Sequence, residues 1–223
     1  MKLVRCDVRD PRESVRLEEL LLERAKRGGE EVIRIWFNHP SVVIGYSLKE
    51  CEEVDCEEAR RLGIPIVRRV SGGGAVYHDL GNINFTIVRR WEGLKGVDEA
   101  YEESTRVAMR ALELLGLKGH VENGNDVVVG EHKVSGAAAA IRRDAYLVHF
   151  TFLVATNMEV LKRVILPRLD RVARGEVTPA KYNPANLRDL AGVRVGEALE
   201  ALRRAARELY PIEQEGGCEL LAL

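Results

Sequence analysis

A run of arginine, glycine and polar residues has the composition of an anion-binding loop. It reads Arg-Arg-Val-Ser-Gly-Gly-Gly-Ala-Val-Tyr-His-Asp-Leu-Gly-Asn over residues 68–82. Because glycine has no Cβ, the N–H groups of Gly72, Gly73 and Gly74 can point into one concavity that suits phosphate or carboxylate. Arg69 stands beside them and can add charge-assisted hydrogen bonds. The alternative is a glycine-rich hairpin or bulge between two strands. The run matches neither G-x-x-x-x-G-K-[ST] nor a G-x-G-x-x-G that opens a helix.

Three blocks together resemble the lipoate–protein ligases, in the superfamily that also contains biotin–protein ligases and octanoyltransferases. Residues 68–82 are similar to the signature of that family. Asn125-Asp126, followed by Lys133-Val134-Ser135-Gly136, is similar to its catalytic-lysine segment at the expected separation, and residues 40–45 are similar to its early strand. The matching blocks extend over most of the chain, and the first of them is long enough to be specific.

The resemblance implies an enzyme that activates lipoate or octanoate with ATP and passes the acyl group from the acyl-adenylate to a lysine of an acceptor domain. Lys133 is then the catalytic residue, because an ammonium stabilises developing phosphate and oxyanion charge where water is excluded. A lysine in a hairpin is otherwise a solvated surface charge. Asp126 is expected near the nucleotide, where it could also hold Mg²⁺. The implied ATP- and lipoate-binding residues are Arg69, Ser71, Gly72, Gly73, Gly74, Ala75, Val76, Tyr77, His78, Asn82, Asn125, Asp126, Ser135, Gly136 and His149.

The two histidines among these residues each have a second interpretation. His78 is either a general acid or base, or a side chain that orients backbone after a glycine turn. His149 lies on an apolar strand, where a histidine is usually hydrogen-bonded in the core, while the resemblance places it beside the acyl pocket. Val42, Val43, Ile44 and Gly45 are expected to form part of the apolar wall around the fatty chain.

The chain departs from the family pattern in three places. The segment after Ser135-Gly136 is Ala137–Ala140, where the family usually has polar residues, so adenine or acyl contacts differ there. His149 is followed by Phe150 in place of the usual glycine, and a benzyl group there could shorten or reshape the acyl pocket. The C-terminal accessory domain of many relatives is not expected here, and we predict a separate small accessory subunit.

Two rival functions remain open at this stage. An octanoyl- or lipoyl-transferase would move the acyl group without ATP, but the octanoyl type needs a cysteine nucleophile beside the lysine. No cysteine lies between Lys133 and Val195. A non-catalytic acceptor-binding subunit is the other rival, motivated by Phe150 and the alanine run. The expected partners of a ligase are the lipoyl domains of 2-oxoacid dehydrogenase E2 subunits or the glycine-cleavage carrier protein.

The elements that must position these residues follow from apolar spacing. Helical patterns span residues 13–27, 56–63, 98–115, 158–165 and 195–210, with Gly28 ending the first and Asp55 and Asp98 capping the second and third. Strand-like runs occur at residues 32–37, 41–46, 64–70, 83–88, 126–129 and 146–154, and Lys133 is expected on a return strand. The strands predominate in the middle, so we predict one α+β domain over residues 1–223, a mixed, mostly antiparallel sheet flanked by helices.

Composition sets the remaining limits. The 223 residues are 46% hydrophobic and 31% charged, with a formal net charge of −1, which gives no electrostatic reason to expect nucleic acid or an anionic membrane as a partner. No apolar run approaches the length of a bilayer-spanning helix, and the charged N-terminus does not resemble a signal peptide. We therefore expect a cytoplasmic protein. In that compartment Cys6, Cys51, Cys56 and Cys218 are expected to be free thiols, without a disulfide or a zinc site.

Overall fold

The computed structural model describes residues 1–91 and 96–221. The strands within them are β1 (Lys2–Arg5), β2 (Val32–Trp36), β3 (Ser41–Ile44), β4 (Ile66–Arg68), β5 (Val76–His78), β6 (Asn82–Arg90), β7 (His120–Glu122), β8 (Asp126–Val129), β9 (His132–Ile141), β10 (Ala145–Leu153) and β11 (Gln214–Gly216). The α-helices are α1 (Pro11–Lys26), α2 (Cys56–Arg61), α3 (Val97–Leu114), α4 (Met158–Val164), α5 (Leu169–Ala173), α6 (Leu187–Ala191) and α7 (Val195–Leu209). Short 3₁₀ helices occur at Pro179–Tyr182 and Cys218–Leu221. The domain predicted over residues 1–223 includes residues 92–95 and 222–223, which lie outside the described ranges.

The larger sheet has eight strands in the order β11-β1-β2-β6-β10-β9-β8-β7. Its pairs are antiparallel from β2 to β7 and parallel where β1 meets β2 and β11. The predicted mixed, mostly antiparallel sheet is therefore confirmed. The sequence pattern did not reveal β1, β7 or β11, which are only three or four residues long.

A second sheet of three strands carries the glycine-rich run. Its order is β4-β3-β5, with β3 parallel to β4 and antiparallel to β5. The turn at residues 38–40 thus sends β2 and β3 into different sheets, although they are neighbours in sequence. The connection from β4 to β5, which contains the three glycines, lies at the end of this small sheet.

The central strands of the large sheet have two different faces. Since side chains alternate along a strand, Val148, Phe150 and Phe152 of β10 pack in the main core with α3 and α7, whereas Leu147 packs in a second cluster with α1. The Phe150 ring stacks on Phe85 with the centroids 5.0 Å apart. The benzyl group therefore fills the core between the sheet and α3 instead of projecting with His149 toward α1.

Most of the predicted helix boundaries are confirmed. The Asp10 carboxylate caps α1 by accepting from the Arg12 N–H, and Asp55 caps α2 by accepting from the Glu58 N–H. The prediction that Asp98 caps the third helix is wrong: α3 begins at Val97 after Gly96, and Asp98 lies in the first turn. No helix within residues 1–91 and 96–221 has the length and apolarity needed to cross a membrane.

The prediction of free thiols is contradicted. All four cysteines are paired, Cys6 with Cys218 and Cys51 with Cys56. The parallel pairing of β1 with β11 brings Cys6 and Cys218 within 4.7 Å at their Cα atoms, across 212 residues of sequence. The prediction rested on the redox state of a compartment and had no information about these distances, which only the fold supplies.

Candidate active site

A cavity of about 440 Å³ lies between the glycine-rich run, α1, the polar face of the large sheet and a segment near residue 175. We call residues 71–75 the glycine loop and residues 166–184 the covering segment. Twelve of the predicted site residues line the cavity: Arg69, Gly73, Gly74, Ala75, Val76, Tyr77, His78, Asn125, Asp126, Lys133, Gly136 and His149. The other four, Ser71, Gly72, Asn82 and Ser135, stand behind them. The fold therefore brings the separate sequence blocks to one place.

The guanidinium of Arg69 is engaged by the glycine loop. It donates to the carbonyl oxygens of Val43 (3.1 Å), Gly72 (2.6 Å) and Gly74 (2.9 Å) and to the hydroxyl of Ser71 (2.9 Å). The residue is only 6% exposed, and burial lowers the pKa of Arg69 to about 10. Gly73 has φ +87°, a conformation that a residue with Cβ rarely adopts. Arg69 thus fixes the glycine loop in place, and most of its donors point at backbone carbonyls.

One N–H of the glycine loop is already bound by an anion. The Glu53 carboxylate accepts from the Ala75 N–H at 2.9 Å, and a Cβ on Gly74 would lie 2.3 Å from the same oxygen. Glu53 follows β3 and also lines the cavity. One donor of the predicted anion-binding loop is therefore occupied by a carboxylate of the protein itself.

A buried hydrogen-bonded chain runs behind the loop. His149 Nε2 lies 2.7 Å from Ser71 Oγ, and His149 Nδ1 lies 2.9 Å from Glu18 Oε2. Burial alone would raise the pKa of the Glu18 carboxyl, but the contacts with His149, Arg34 and Thr86 outweigh it and hold that pKa below its usual value. Both interpretations of His149 hold, because its ring is hydrogen-bonded in the interior and also lines the cavity.

Sequence reasoning missed Glu18, and a signal for it was present. The residues of α1 that are buried include Ser14, Leu21 and Ala25, which share one face of the helix with Glu18. A glutamate is almost never fully buried unless it is paired. Its position on an apolar stripe therefore indicated a buried partner, which the fold identifies as His149.

His78 is buried close to the hydrogen-bonded residues Glu18, His149 and Ser71. Its Nε2 lies 3.2 Å from Thr151 Oγ1 and its Nδ1 lies 3.4 Å from Asn38 Nδ2, with the Trp36 ring edge-on at 5.7 Å. Burial lowers the pKa of His78 to about 3, so the ring is neutral near pH 7. These contacts favour the orienting role over proton transfer. Asn82 acts on the same strand by donating to the Tyr77 carbonyl at 3.1 Å.

The predicted catalytic lysine forms an ion pair inside the cavity. Lys133 Nζ lies 2.5 Å from Asp126 Oδ1, and Lys181 Nζ lies 3.2 Å from Asp126 Oδ2. Asn123 Nδ2 donates to the same Oδ2 at 2.9 Å. Burial by itself would raise the pKa of Asp126, but the two ammonium groups lower it below its usual value. Asp126 is thus a charged, fully buried carboxylate shared by two lysines.

The geometry of β8 and β9 explains how Lys133 reaches this position. A bulge between Val127 and Val128 shifts the register of the pair, and the Lys133 side chain lies over Gly136. A Cβ on Gly136 would be 2.5 Å from Lys133 Nζ, so only glycine leaves the ammonium its place. Asn125 closes the turn by donating to the Ala137 carbonyl at 2.7 Å. The alanine run continues β9 as small, largely buried side chains.

The covering segment reaches the cavity through a few contacts. The Thr178 N–H donates to Asn123 Oδ1 at 2.9 Å, and the backbone of Lys133 donates to the Asn183 carbonyl and accepts from the Ala185 N–H. Its cavity-lining residues are Leu166, Arg171, Glu176, Val177, Lys181, Tyr182 and Pro184. Lys181 carried no local signal in the sequence, and Asn123 was marked only by the Asn-Gly turn to which it belongs.

The carboxylate predicted to hold Mg²⁺ does not fit that role in this arrangement. Both oxygens of Asp126 are engaged by ammonium groups, one of them also by Asn123. In the part of the chain that the structure describes, no three His, Cys, Asp or Glu side chains gather as a metal site. These residues therefore do not form a resident magnesium ligand set.

Comparison with known proteins now gives the family. The model of the lipoyl protein ligase A/B catalytic domain matches residues 10–207. A protein of Aeropyrum pernix, provisionally named lipoate-protein ligase A, is 48% identical over 95% of this chain and 80% of its own length. Lipoate-protein ligase A subunit 1 of Thermoplasma acidophilum is 30% identical over 91% of this chain and 80% of its own length.

Solved structures agree with these relatives. A Thermoplasma acidophilum protein with bound lipoic acid has a TM-score of 0.83 at 29% identity, over 96% of this chain and 87% of its own. A lipoate-protein ligase A bound with ATP has a TM-score of 0.83 at 28% identity, over 96% and 88%. A bipartite lipoate protein ligase from Thermoplasma acidophilum, studied with its E2 lipoyl domain, has a TM-score of 0.77 at 28% identity, over 96% and 87%. Since the family model covers most of the chain and the geometry places the family's motifs around one cavity, the chain belongs to the lipoyl protein ligase A/B catalytic domain family.

Proposed function

We propose that the protein is the catalytic subunit of an ATP-dependent lipoate–protein ligase. The observation that carries the proposal is the Lys133 ammonium, held on the buried Asp126 carboxylate at the wall of a cavity closed by the glycine loop. An ammonium fixed in a water-poor site stabilises developing negative charge without reorganisation. The names and bound ligands of the relatives described above support the same reaction.

The reaction has two steps that use this site. The lipoate carboxylate attacks the α-phosphate of ATP and releases pyrophosphate, and the amine of an acceptor lysine then attacks the acyl carbonyl and releases AMP. In the first step Lys133 binds the carboxylate and α-phosphate oxygens, and in the second it binds the oxyanion at the acyl carbon. The glycine loop, held by Arg69, orients these oxygens through its N–H groups.

The acyl chain enters between α1 and the polar face of the large sheet. Apolar wall residues there include Val15, Val43 and Leu153. The Phe150 ring packs on Phe85 in the core, and Phe150 also belongs to the cavity lining, so the expectation that it shapes the acyl pocket stays a prediction. We propose lipoate as the substrate and octanoate as an acceptable substitute.

Magnesium enters as part of the substrate. Mg²⁺ commonly binds substrate phosphates and keeps several waters, so Mg-ATP needs no resident protein carboxylate. Asp126, engaged by its two lysines, serves to position them. We place the reaction in the cytoplasm, where ATP is available.

The partners are proposed from the relatives. One relative is a subunit 1 and another is bipartite and was studied with an E2 lipoyl domain. By likeness, we propose that residues 1–223 form a single catalytic domain that acts with a separate small accessory subunit. The acceptor is a lipoyl domain of a 2-oxoacid dehydrogenase E2 subunit or the glycine-cleavage carrier protein.

The transferase alternative has less support at the site. Acyl transfer without ATP by the octanoyl mechanism needs a thiolate nucleophile, whereas all four cysteines of this chain are in disulfides. None of them lines the cavity. The non-catalytic alternative has less support because Lys133 is held in the cavity together with the glycine loop.

The decisive experiment is the mass of a recombinant lipoyl-acceptor domain after incubation with the protein and lipoate, with and without Mg-ATP. A gain of one lipoyl group only with ATP supports the ligase. If no gain occurs, the reaction is repeated with preformed lipoyl-AMP. Modification then means that transfer works and activation needs the accessory subunit, while continued absence of modification rejects the proposed function. A gain without ATP or lipoyl-AMP would favour the transferase.

A further inference from the structure

The cations that line the cavity are not equally available to a ligand. In the described residues they are Arg69, Lys133, Arg171 and Lys181. Arg69 donates to the backbone carbonyls of Val43, Gly72 and Gly74. Arg171 is paired with Glu176 at 3.1 Å and is about one-third exposed. The two lysines therefore remain as the main source of positive charge for an anionic ligand.

Lys133 and Lys181 together carry more charge than their partner neutralises. They share the single carboxylate of Asp126, one ammonium on each oxygen. Burial and the neighbouring Lys133 both lower the pKa of Lys181, which is the expected response of two like charges held near each other. An incoming phosphate would relieve this excess of positive charge. A lone structural ion pair would need only one of the two lysines.

Lys181 is delivered to this place by a different part of the chain. It lies on the 3₁₀ helix Pro179–Tyr182 of the covering segment, close to where that segment is hydrogen-bonded to the backbone of Lys133 itself. The Lys133 N–H donates to the Asn183 carbonyl, and the Ala185 N–H donates to the Lys133 carbonyl. These two hydrogen bonds fix the backbone next to Lys181 relative to Lys133.

We propose that Lys181 is a second phosphate-binding residue, which holds the β- and γ-phosphates of ATP while Lys133 holds the α-phosphate. The proposal rests on the proposed function. The α-phosphate stays in the acyl-adenylate, and Lys133 suffices for it. The additional negative charge of ATP lies on the phosphates that leave, and it requires a further cation. Lys181 is the cavity-lining ammonium that the transfer step does not use.

The test compares ATP with AMP as ligands. Calorimetric titrations are made with the unaltered protein and with Lys181→Ala, Lys181→Arg and, as a matched control, Lys118→Ala, an exposed lysine outside the cavity lining. Loss of a charged hydrogen-bonding group predicts that Lys181→Ala weakens ATP binding about 10- to 100-fold. AMP binding, and lipoyl transfer from preformed lipoyl-AMP, stay within about twofold of the unaltered protein. Lys181→Arg keeps most of the ATP affinity, and Lys118→Ala changes nothing.

Each other outcome overturns the inference. Unchanged ATP binding in Lys181→Ala would mean that the ammonium does not contact phosphate. Equal losses for ATP, AMP and transfer, together with a lower Tm, would mean that Lys181 only holds the covering segment through Asp126. If the unaltered protein binds neither ATP nor AMP and also fails to transfer the lipoyl group from lipoyl-AMP, the proposed function itself fails, and the assignment of Lys181 fails with it.

Discussion

The glycine loop and the covering segment line the same cavity, but different kinds of interaction hold them in place. Behind the glycine loop, Arg69, Ser71 and His78 are buried and each is bound to another buried group. In the covering segment no residue from 166 to 184 is fully buried. Its charged side chains instead pair with one another near the surface, as Arg174 does with Asp170 and Glu176.

This difference assigns different tasks to the two regions. A loop fixed by buried hydrogen bonds is preorganised, so its N–H groups need no rearrangement when charge develops on a ligand. The covering segment is held by exposed ion pairs, which contribute little to stability, and by a few contacts with Asn123, Asp126 and Lys133, so it opens at lower cost than the glycine loop. The glycine loop can therefore set the geometry of the reaction, and the covering segment can admit and enclose the substrates.

The largest expected effect on stability is at Arg69. Arg69→Ala removes a buried guanidinium and leaves the carbonyls of Val43, Gly72 and Gly74 without their donor. We expect a loss of about 3–5 kcal/mol in the free energy of unfolding, together with loss of activity. Urea unfolding measures the first, and the acceptor-lipoylation assay measures the second.

The matched control lies in the covering segment. Arg174→Ala removes an arginine that is 53% exposed and makes two surface ion pairs. Its effect on the free energy of unfolding is expected to be small compared with that of Arg69→Ala, because exposed ion pairs contribute little to stability. Equal destabilisation by the two variants would show that the two regions are ordered in the same way, and the comparison would fail.

The next prediction concerns Lys133, where a substitution should change the reaction rate more than the stability. Lys133→Ala removes the ammonium to which we assign a role in both reaction steps, and we expect the lipoylation rate to fall about 100- to 1,000-fold. Binding of the acceptor domain should persist, since the change lies inside the cavity. Single-turnover transfer from lipoyl-AMP gives the rate. Retention of more than about one-tenth of the activity would remove Lys133 from its catalytic role.

The parts of this site that were predicted from sequence are those with a local cause. The positive φ of Gly73 (+87°) and the close approach of the Lys133 side chain to Gly136 each require glycine within a few residues of sequence, so a short motif contains them. The α+β architecture followed from apolar periodicity in the same way. Helix starts were predicted where a side chain really caps the helix, as Asp55 does for α2.

The parts that were missed depend on residues far apart in the chain. Glu18 meets His149 across 131 positions, and Lys181 meets Asp126 across 55. The pairing of Cys6 with Cys218 is set by the register of β1 and β11. No local pattern fixes such distances. The stacking of Phe150 on Phe85 belongs to the same class, since the sequence contains the residue but does not indicate which face of β10 its ring occupies.

The pH dependence of stability tests the buried groups behind the glycine loop. Burial lowers the pKa of His78 from 6.5 to about 3, so between these values the unfolded chain binds a proton that the folded protein does not. Stability contributed through His78 therefore falls as the pH falls from 6.5 toward 3, by at most about 1.4 kcal/mol per pH unit. Glu18 adds a fall in the same direction, since its lowered pKa means that its stabilisation is lost on protonation.

His78→Gln isolates the histidine from Glu18. Urea unfolding of both proteins at pH 4, 5, 6 and 7 should give a shallower pH dependence for the variant, since glutamine does not titrate. Arg174→Ala, measured in parallel, should keep the slope of the unaltered protein because that change is confined to the surface. Identical slopes for His78→Gln and the unaltered protein would mean that the folded state protonates His78 as readily as the unfolded chain does.

The smallest effect concerns the attachment of the covering segment. Asn123 has φ +52° and ties the segment to the cavity by accepting from the Thr178 N–H and donating to Asp126. Asn123→Gly tolerates this backbone conformation and removes only the side chain. The lost hydrogen bonds are worth about 1 kcal/mol and hold the covering segment over the cavity. Their loss should therefore raise the KM for ATP about fivefold. The free energy of unfolding should change by less than about 1 kcal/mol, because the segment contributes little to the core. Steady-state kinetics and urea unfolding on the same preparation give both numbers. A large loss of stability with an unchanged KM would make Asn123 part of the rigid side of the cavity, and the covering segment would then not be the side that admits ATP.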